Sequence, residues 1–191
     1  MKILAIYGSP RANGNSDILL NEALNGVKAA GGRTEKVFVR NMKIRPCDEG
    51  RVCDRTGHCL IVDDMKQIYD KLEVCERVIV ASPIFYYSVP SSLKAVIDRS
   101  QCYWARKYLL KQPLPEEING VRRRGAFIAV AGTRGEKVFD GADLTIKYFF
   151  DSYNVEYAEK LFVRGADAKG EIIKMTEQIN KAVELGMRMC K

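Results

Sequence analysis

A continuous apolar run, Ile3-Leu4-Ala5-Ile6-Tyr7, opens the chain and empties directly into Gly8-Ser9-Pro10-Arg11-Ala12-Asn13-Gly14-Asn15-Ser16. The run reads as a buried strand and the segment after it as a loop suited to an anion. Its glycines let the backbone take conformations closed to other residues, while Ser9, Asn13, Asn15 and Ser16 bring uncharged donors beside the permanently cationic Arg11. Ser16 stands where it would cap the amphipathic segment that follows, so the loop would end on the positive end of a helix, where free N–H groups favour phosphate. The loop has neither the Gly-Lys-Ser/Thr ending of a P-loop nor a Gly-x-Gly-x-x-Gly spacing, which argues against ATP and tightly held NAD. An ordinary strand-to-helix turn uses the same residue types. The rest of the chain has to separate the two readings.

At 191 residues the chain fits a single domain, 1–191, with 47% apolar and 29% charged residues, ordinary values for a folded protein. No apolar run approaches the roughly 20 residues that span a bilayer, and Met1-Lys2 leads straight into the first strand without a leader-like apolar segment. A cytoplasmic protein with no membrane partner is expected. The net charge of +7 has no focus: Arg122-Arg123-Arg124 is the one tight basic run, and no basic tail, zinc-finger spacing or aromatic RNA motif accompanies it. That run is expected to be a solvated turn before a strand, and no nucleic-acid partner is expected. The basic balance suits phosphate-bearing cofactors or an acidic redox partner.

Apolar β-type runs alternate with segments of helical period. Strands are expected at Lys2 to Tyr7, Glu35 to Val39, Arg77 to Ala81, Ala126 to Ala131 and Glu156 to Val163. Helices are expected at Ser16 to Ala30, Asp64 to Glu73, Pro90 to about Lys107, Gly141 to Tyr153 and Glu171 to Met189. The pattern is that of an α/β domain, a doubly wound five-stranded parallel sheet with helices on both faces. Such sheets bind ligands outside the carboxyl ends of their strands, where the strand order reverses.

The segments after the strands therefore carry the chemistry. After the third comes Ser82-Pro83-Ile84-Phe85-Tyr86-Tyr87-Ser88-Val89-Pro90, stiffened by its prolines and rich in apolar and aromatic surface for a flat ring. After the fourth comes Gly132-Thr133-Arg134-Gly135-Glu136, whose glycines allow close backbone approach and whose Arg134 can face an anionic edge. Taken singly, the aromatic loop is as good a core plug as a ring site. Together with the first loop, the pattern suits a phosphorylated flat cofactor.

The opening Gly-Ser-Pro-Arg-x-x-Gly-Asn-Ser, the helix start Asp63-Asp64-Met65, Ser82-Pro83-Ile84-Phe85 and Leu93-Lys94-x-x-x-Asp98-Arg99 resemble the NAD(P)H-dependent FMN reductase family of flavodoxin-like proteins over nearly the whole chain. Within it the chain is most similar to the iron-sulfur flavoprotein branch, whose members carry a compact cysteine cluster after the second strand. The resemblance implies the strand order 2-1-3-4-5 and one FMN per subunit. Ser9, Arg11, Asn13, Asn15 and Ser16 would surround the phosphate, Pro83, Ile84, Phe85 and Tyr86 would run along the isoalloxazine, and Gly132, Thr133 and Gly135 would lie at its far side. It also implies NAD(P)H as transient electron donor, ferredoxin as another, and a homodimer or homotetramer in which Leu93 to Pro115 forms a contact and association brings the cluster near a flavin.

The cysteines depart from that pattern. The branch has four, with two residues between each of the first three, whereas here Cys47 and Cys53 flank Gly50 at the second position and Cys59 follows, in a loop at about 45–62. A [4Fe–4S] cluster takes four ligands, normally thiolates. Cys47, Cys53 and Cys59 leave several readings open: an iron-sulfur cluster with an outside ligand, a three-iron form, a Cys₃His zinc site with His58, or three reduced thiols without metal. Cys75, Cys102 and Cys190 sit in helix-like contexts and read as buried apolar residues.

No acid–base catalyst is assigned. His58 is the only histidine and lies in the cysteine loop, and Ser9 lacks a Gly-x-Ser-x-Gly elbow. The expected function is an FMN-dependent oxidoreductase passing electrons from NAD(P)H or another reduced donor to a small acceptor such as a quinone, flavin or oxygen species, with an iron-sulfur centre as relay. A flavin-containing electron carrier without its own substrate and a non-catalytic flavin- or nucleotide-binding module are the alternatives.

Overall fold

The computed structural model describes all residues, 1–191, and its elements follow the periodicity of the sequence. In chain order they are β1 (Lys2–Tyr7), α1 (Asn15–Ala29), β2 (Arg33–Phe38), α2 (Cys53–Thr56), α3 (Met65–Val74), β3 (Arg77–Pro83), α4 (Ser91–Arg99) and α5 (Gln101–Tyr108). Then come β4 (Glu117–Ile118), β5 (Val121–Arg122), β6 (Arg124–Ala131), α6 (Asp140–Ser152), β7 (Glu156–Arg164) and α7 (Thr176–Arg188). Five parallel strands form one sheet in the order β2-β1-β3-β6-β7. Leaving out the β4–β5 hairpin, this is the expected 2-1-3-4-5.

Because successive side chains of a strand point to opposite faces, the central strands feed two cores. Leu4, Ile6, Val78, Val80 and Phe127 pack under α3, α4, α5 and α6. Ile3, Ala5, Tyr7, Ile79 and Ile128 pack under α1 and α7. Those two helices touch backbone to backbone: a Cβ at Gly26 would overlap the carbonyl of Val183, and one at Gly186 that of Ala23. No helix is long and apolar enough to cross a membrane.

Several boundaries differ from expectation for local reasons. The helix expected from Pro90 to about Lys107 is two, α4 and α5, jointed at Ser100, whose hydroxyl donates to Val96 O and pairs with the Tyr153 hydroxyl at 3.0 Å. The segment from Glu171 begins as a 3₁₀ turn, Glu171–Lys174, before α7. β2 starts two residues early, and Val39 already belongs to the 3₁₀ turn Val39–Asn41. Ser16 does not cap α1; Gly14 holds that position with extended backbone and no side chain covers the helix end.

The expectation for Arg122-Arg123-Arg124 also fails at its centre. Arg123 is 1% exposed and donates to the carbonyls of Leu72, Cys75 (3.3 Å) and Tyr153 (2.6 Å). These carbonyls end α3 and α6, where unsatisfied C=O groups carry the negative end of the helix dipole. The cation therefore joins two helix ends beneath the sheet. Arg123→Ala is expected to destabilise the protein by about 3 kcal/mol or more, because it strands buried acceptors and opens a cavity. A lowered urea midpoint with an unchanged slope would show it.

Candidate functional site

The last rung between β1 and β3, Gly8 N–H to Ala81 O at 2.8 Å, leaves the two strands to diverge. The loop after β1 is held by its own atoms. Ser9 Oγ accepts from the Arg11 N–H at 3.1 Å and donates to Arg11 O at 3.0 Å, and Asn13 takes a left-handed conformation with φ 55°. The Asn13 N–H donates to Asp17 at 3.0 Å. Arg40, beyond β2, pairs with the same carboxylate at 3.0 Å and donates to Ser9 O at 3.3 Å. Burial pushes the Asp17 carboxyl up, and the opposing pull of Arg40 does not reverse it.

Asn15 braces the loop from the far side. Its side-chain amide donates to Ala166 O and Ala168 O and accepts from the Ile172 N–H. That leaves its backbone N–H, with those of the uncapped first turn of α1, for an anion. The Arg11 guanidinium reaches the carbonyl of Asp167 at 3.3 Å and is otherwise exposed.

These residues bound a cleft of about 280 Å³, with Ser9, Arg11, Gly14, Asn15 and Ser16 at one end and Pro83, Ile84 and Phe85 as one wall. Val130, Gly132, Ala166 and Asp167 complete the lining. A second cavity shares Ile84, Phe85, Gly132 and Asp167 and continues past Tyr86, Tyr87, Thr133 and Val138. The expected residues are thus brought together, except that Asn13 and Gly135 lie outside both linings. Gly135 instead stands next to the Tyr87 hydroxyl, and its carbonyl accepts from Arg164. Asp167, Arg40 and Asp17 were not anticipated: Asp167 and Arg40 reach the site from distant parts of the chain, and Asp17, next to Ser16, enters only through its pairing with Arg40 and the Asn13 N–H.

The fit to FMN is good on the donor set: an open helix end, a cation and hydroxyls at one end, and an apolar wall with exposed backbone for a ring. The uncharged wall is anchored where the Ile84 N–H donates to Val130 O at 2.9 Å.

The cysteine loop is a separate construction on the opposite face from α1. Arg99, 1% exposed, donates to Arg45 O and Ile61 O at 3.0 Å each and to Asp63 at 2.8 and 3.3 Å. Asp63 in turn accepts from the N–H groups of Arg45 and Met65. Both ends of the loop are thereby clamped to one ion pair. Above it Cys47, Cys53 and Cys59 line one cavity together with Gly50, and Cys53 also has its thiol pushed up, first by burial and then by Asp54 and the neighbouring thiols. His58 is not among the residues that line that cavity. No group of three or more His, Cys, Asp or Glu side chains is gathered as a metal would need, and the donor set stops at three thiols. The loop as folded does not fit a four-thiolate cluster. Cys75 and Cys102 are buried as expected, while Cys190 is half-buried.

Burial alone would raise the Asp63 carboxyl, but Arg99 and the two N–H groups outweigh it and hold it below its ordinary range. A depressed carboxyl stabilises the fold above its unfolded pKa, about 4, and loses that contribution as pH falls through the folded value. Asp63→Asn is therefore expected to cost about 2 kcal/mol at pH 7. The gap between the variant and the parent protein in thermal unfolding should close below about pH 4.

A family model described as NADPH-dependent FMN reductase matches residues 1–143. The chain is 33% identical over 151 residues to an iron-sulfur flavoprotein of Methanosarcina thermophila, covering 79% of this chain and 72% of that protein. It superimposes on an NAD(P)H:quinone oxidoreductase from Methanothermobacter marburgensis with a TM-score of 0.73 at 13% identity, covering 98% of this chain and 95% of that one. An FMN-dependent NADH-azoreductase from Bacillus anthracis, solved in complex with FMN, matches over the full length of both chains with a TM-score of 0.69 at 13% identity. At such identities the two structures speak for the flavodoxin-like fold alone.

Proposed function

The chain belongs to the NADPH-dependent FMN reductase family, and from that premise we propose that it oxidises NAD(P)H and reduces a small organic acceptor, a quinone or a free flavin, at an FMN held in the cleft between the loops after β1, β3 and β6. The observation that carries this reading is the shape of the cleft, anion-binding at one end and apolar at the other. FMN, when bound, supplies a ring that takes a hydride equivalent and returns two electrons. The overall exchange balances as NAD(P)H, a proton and a quinone giving NAD(P)⁺ and a hydroquinone.

The protein's part is binding and orientation. Arg11, the Ser16 hydroxyl and the first N–H groups of α1 would hold the phosphate, with Ser9, Asn15, Arg40 and Asp17 fixing the loop that presents them. Pro83, Ile84 and Phe85 offer a flat apolar wall that keeps water from one face of a ring, and the backbone of Gly132 and Thr133 faces its edge. No side chain in the cleft is needed as an acid or base.

An iron-sulfur relay would have the three thiols of the cysteine loop to draw on, one short of the usual four. Iron and acid-labile sulfide measured on anaerobically purified protein test it independently of the flavin.

Two measurements test the main reading. Protein loaded with FMN should be bleached by NADH or NADPH and recover its flavin spectrum on addition of a quinone; failure to bleach with either leaves an electron carrier or a binding module. Arg11→Ala should raise the FMN dissociation constant about tenfold or more, the loss of a charge-assisted contact to phosphate. Unchanged affinity would place the phosphate elsewhere.

A further inference from the structure

Tyr86 and Tyr87 form the tip of a two-residue hairpin in which the Phe85 and Ser88 backbones exchange both hydrogen bonds at 2.9 Å. Both tyrosines have positive φ, 48° and 62°. A turn of this kind selects Asn-Gly or Gly-Gly, and two consecutive bulky residues with left-handed backbone are a strained choice. The turn sits tightly on α6: the Tyr87 carbonyl lies so close to Gly141 at the start of that helix that a Cβ there would come within 2.6 Å of it. Neither side chain repays the conformation by burial: Tyr86 is fully exposed and Tyr87 58% exposed. Strain of this kind, held by its surroundings and unrewarded by packing, points to function.

What the two rings do is line the outer part of the cleft. The cavity they border is apolar, its other walls including Ile84, Phe85 and Val138, and its only charged lining group is the carboxylate of Asp167. No lysine or arginine lines it to meet a pyrophosphate. We propose that Tyr86 and Tyr87 are specificity-determining residues that stack a flat, uncharged, electron-poor acceptor ring of the quinone class against the outer end of the flavin cleft. This rests on the flavin reading above and deepens it. It also moves Tyr86 from the cofactor's wall, where the sequence placed it, to the acceptor's. Electron-rich phenol faces favour an electron-poor ring, and the missing cations disfavour the polyanionic nicotinamide dinucleotide as the ligand of this rim.

The test uses FMN-loaded protein with 2-methyl-1,4-naphthoquinone as the probe. Tyr86→Ala is expected to raise the quinone KM about tenfold while kcat, the KM for NAD(P)H and the FMN dissociation constant stay within about twofold, and Tyr86→Phe should restore the KM. Tyr87→Gly should raise the quinone KM as well while raising Tm by about 2–4 °C, since glycine relieves the left-handed backbone. A quinone KM insensitive to both positions overturns the proposal, as does a KM effect that falls on the nicotinamide. FMN affinity weakening in step with the quinone KM would return Tyr86 to the cofactor's wall and also overturns it. A parent protein that NAD(P)H does not bleach overturns the NAD(P)H-oxidising reading and this one together, whereas normal bleaching with an unaltered quinone KM overturns this one alone.

Discussion

The cleft depends on the place where β1 and β3 stop pairing. Up to the Gly8 N–H to Ala81 O bond the two strands are locked in register, and beyond it they leave in opposite directions. β1 turns into α1 on one face and returns as β2 at one side of the sheet, while β3 leads into α4 and α5 on the other face and returns as β6 at the opposite side. Divergence of this kind cannot be closed by backbone hydrogen bonds, so a crevice is built in. A Cβ at Gly8 would sit 2.5 Å from Leu93 Cδ2, so the residue that begins the divergence is also the one that admits the close packing of α4 beneath it.

Around this crevice the interior is tied by arginines whose partners are mostly backbone carbonyls. Arg123 joins the ends of α3 and α6, Arg77 reaches the carbonyl of Met189 just past α7, and Arg99 holds the two ends of the cysteine loop along with Asp63. Each cation is placed where several C=O groups would otherwise be buried without donors, so its desolvation is offset by groups that need it equally. Arg99 is not fully satisfied, since its Nε finds no partner. Removing any of these side chains therefore exposes more than one broken bond.

The five strands and most helices were legible because burial on both faces of a parallel sheet writes itself as short apolar runs, Ile3 to Tyr7 and Val78 to Ala81 above all. The loops after β1 and β3 were legible as cleft linings for a related reason: the residues that line the cleft from each loop are nearly contiguous. What escaped was every contribution made across sequence distance. Arg40 acts on Asp17 and Ser9 from beyond β2, Asn15 spends its side chain on residues 166–172, and Asp167 enters the cleft from the loop after β7. A triple-arginine run likewise gives no hint that its middle member faces inward, because the carbonyls that receive it belong to Leu72, Cys75 and Tyr153, far along the chain. Helix breaks were missed where an apolar period continues through them, as it does across Ser100.

The cysteine loop shows how a frame and its occupant can be specified by different residues. Its base is the Arg99–Asp63 pair and the backbone of Arg45, Ile61 and Met65, none of which is a thiol. The turn from Cys47 to Cys53 takes its left-handed backbone at Glu49 and Arg51, not at Gly50, and a Cβ on Gly50 would meet only Asp48 Oδ1 at 3.3 Å. Position 50 is thus under little steric or conformational demand from the fold. A chain can exchange a cysteine for glycine there and keep the loop, the cavity and the three remaining thiols in place, because the forces that shape the loop act at its base. The cleft at the sheet edge shares no lining residue with that cavity, so the two are shaped independently.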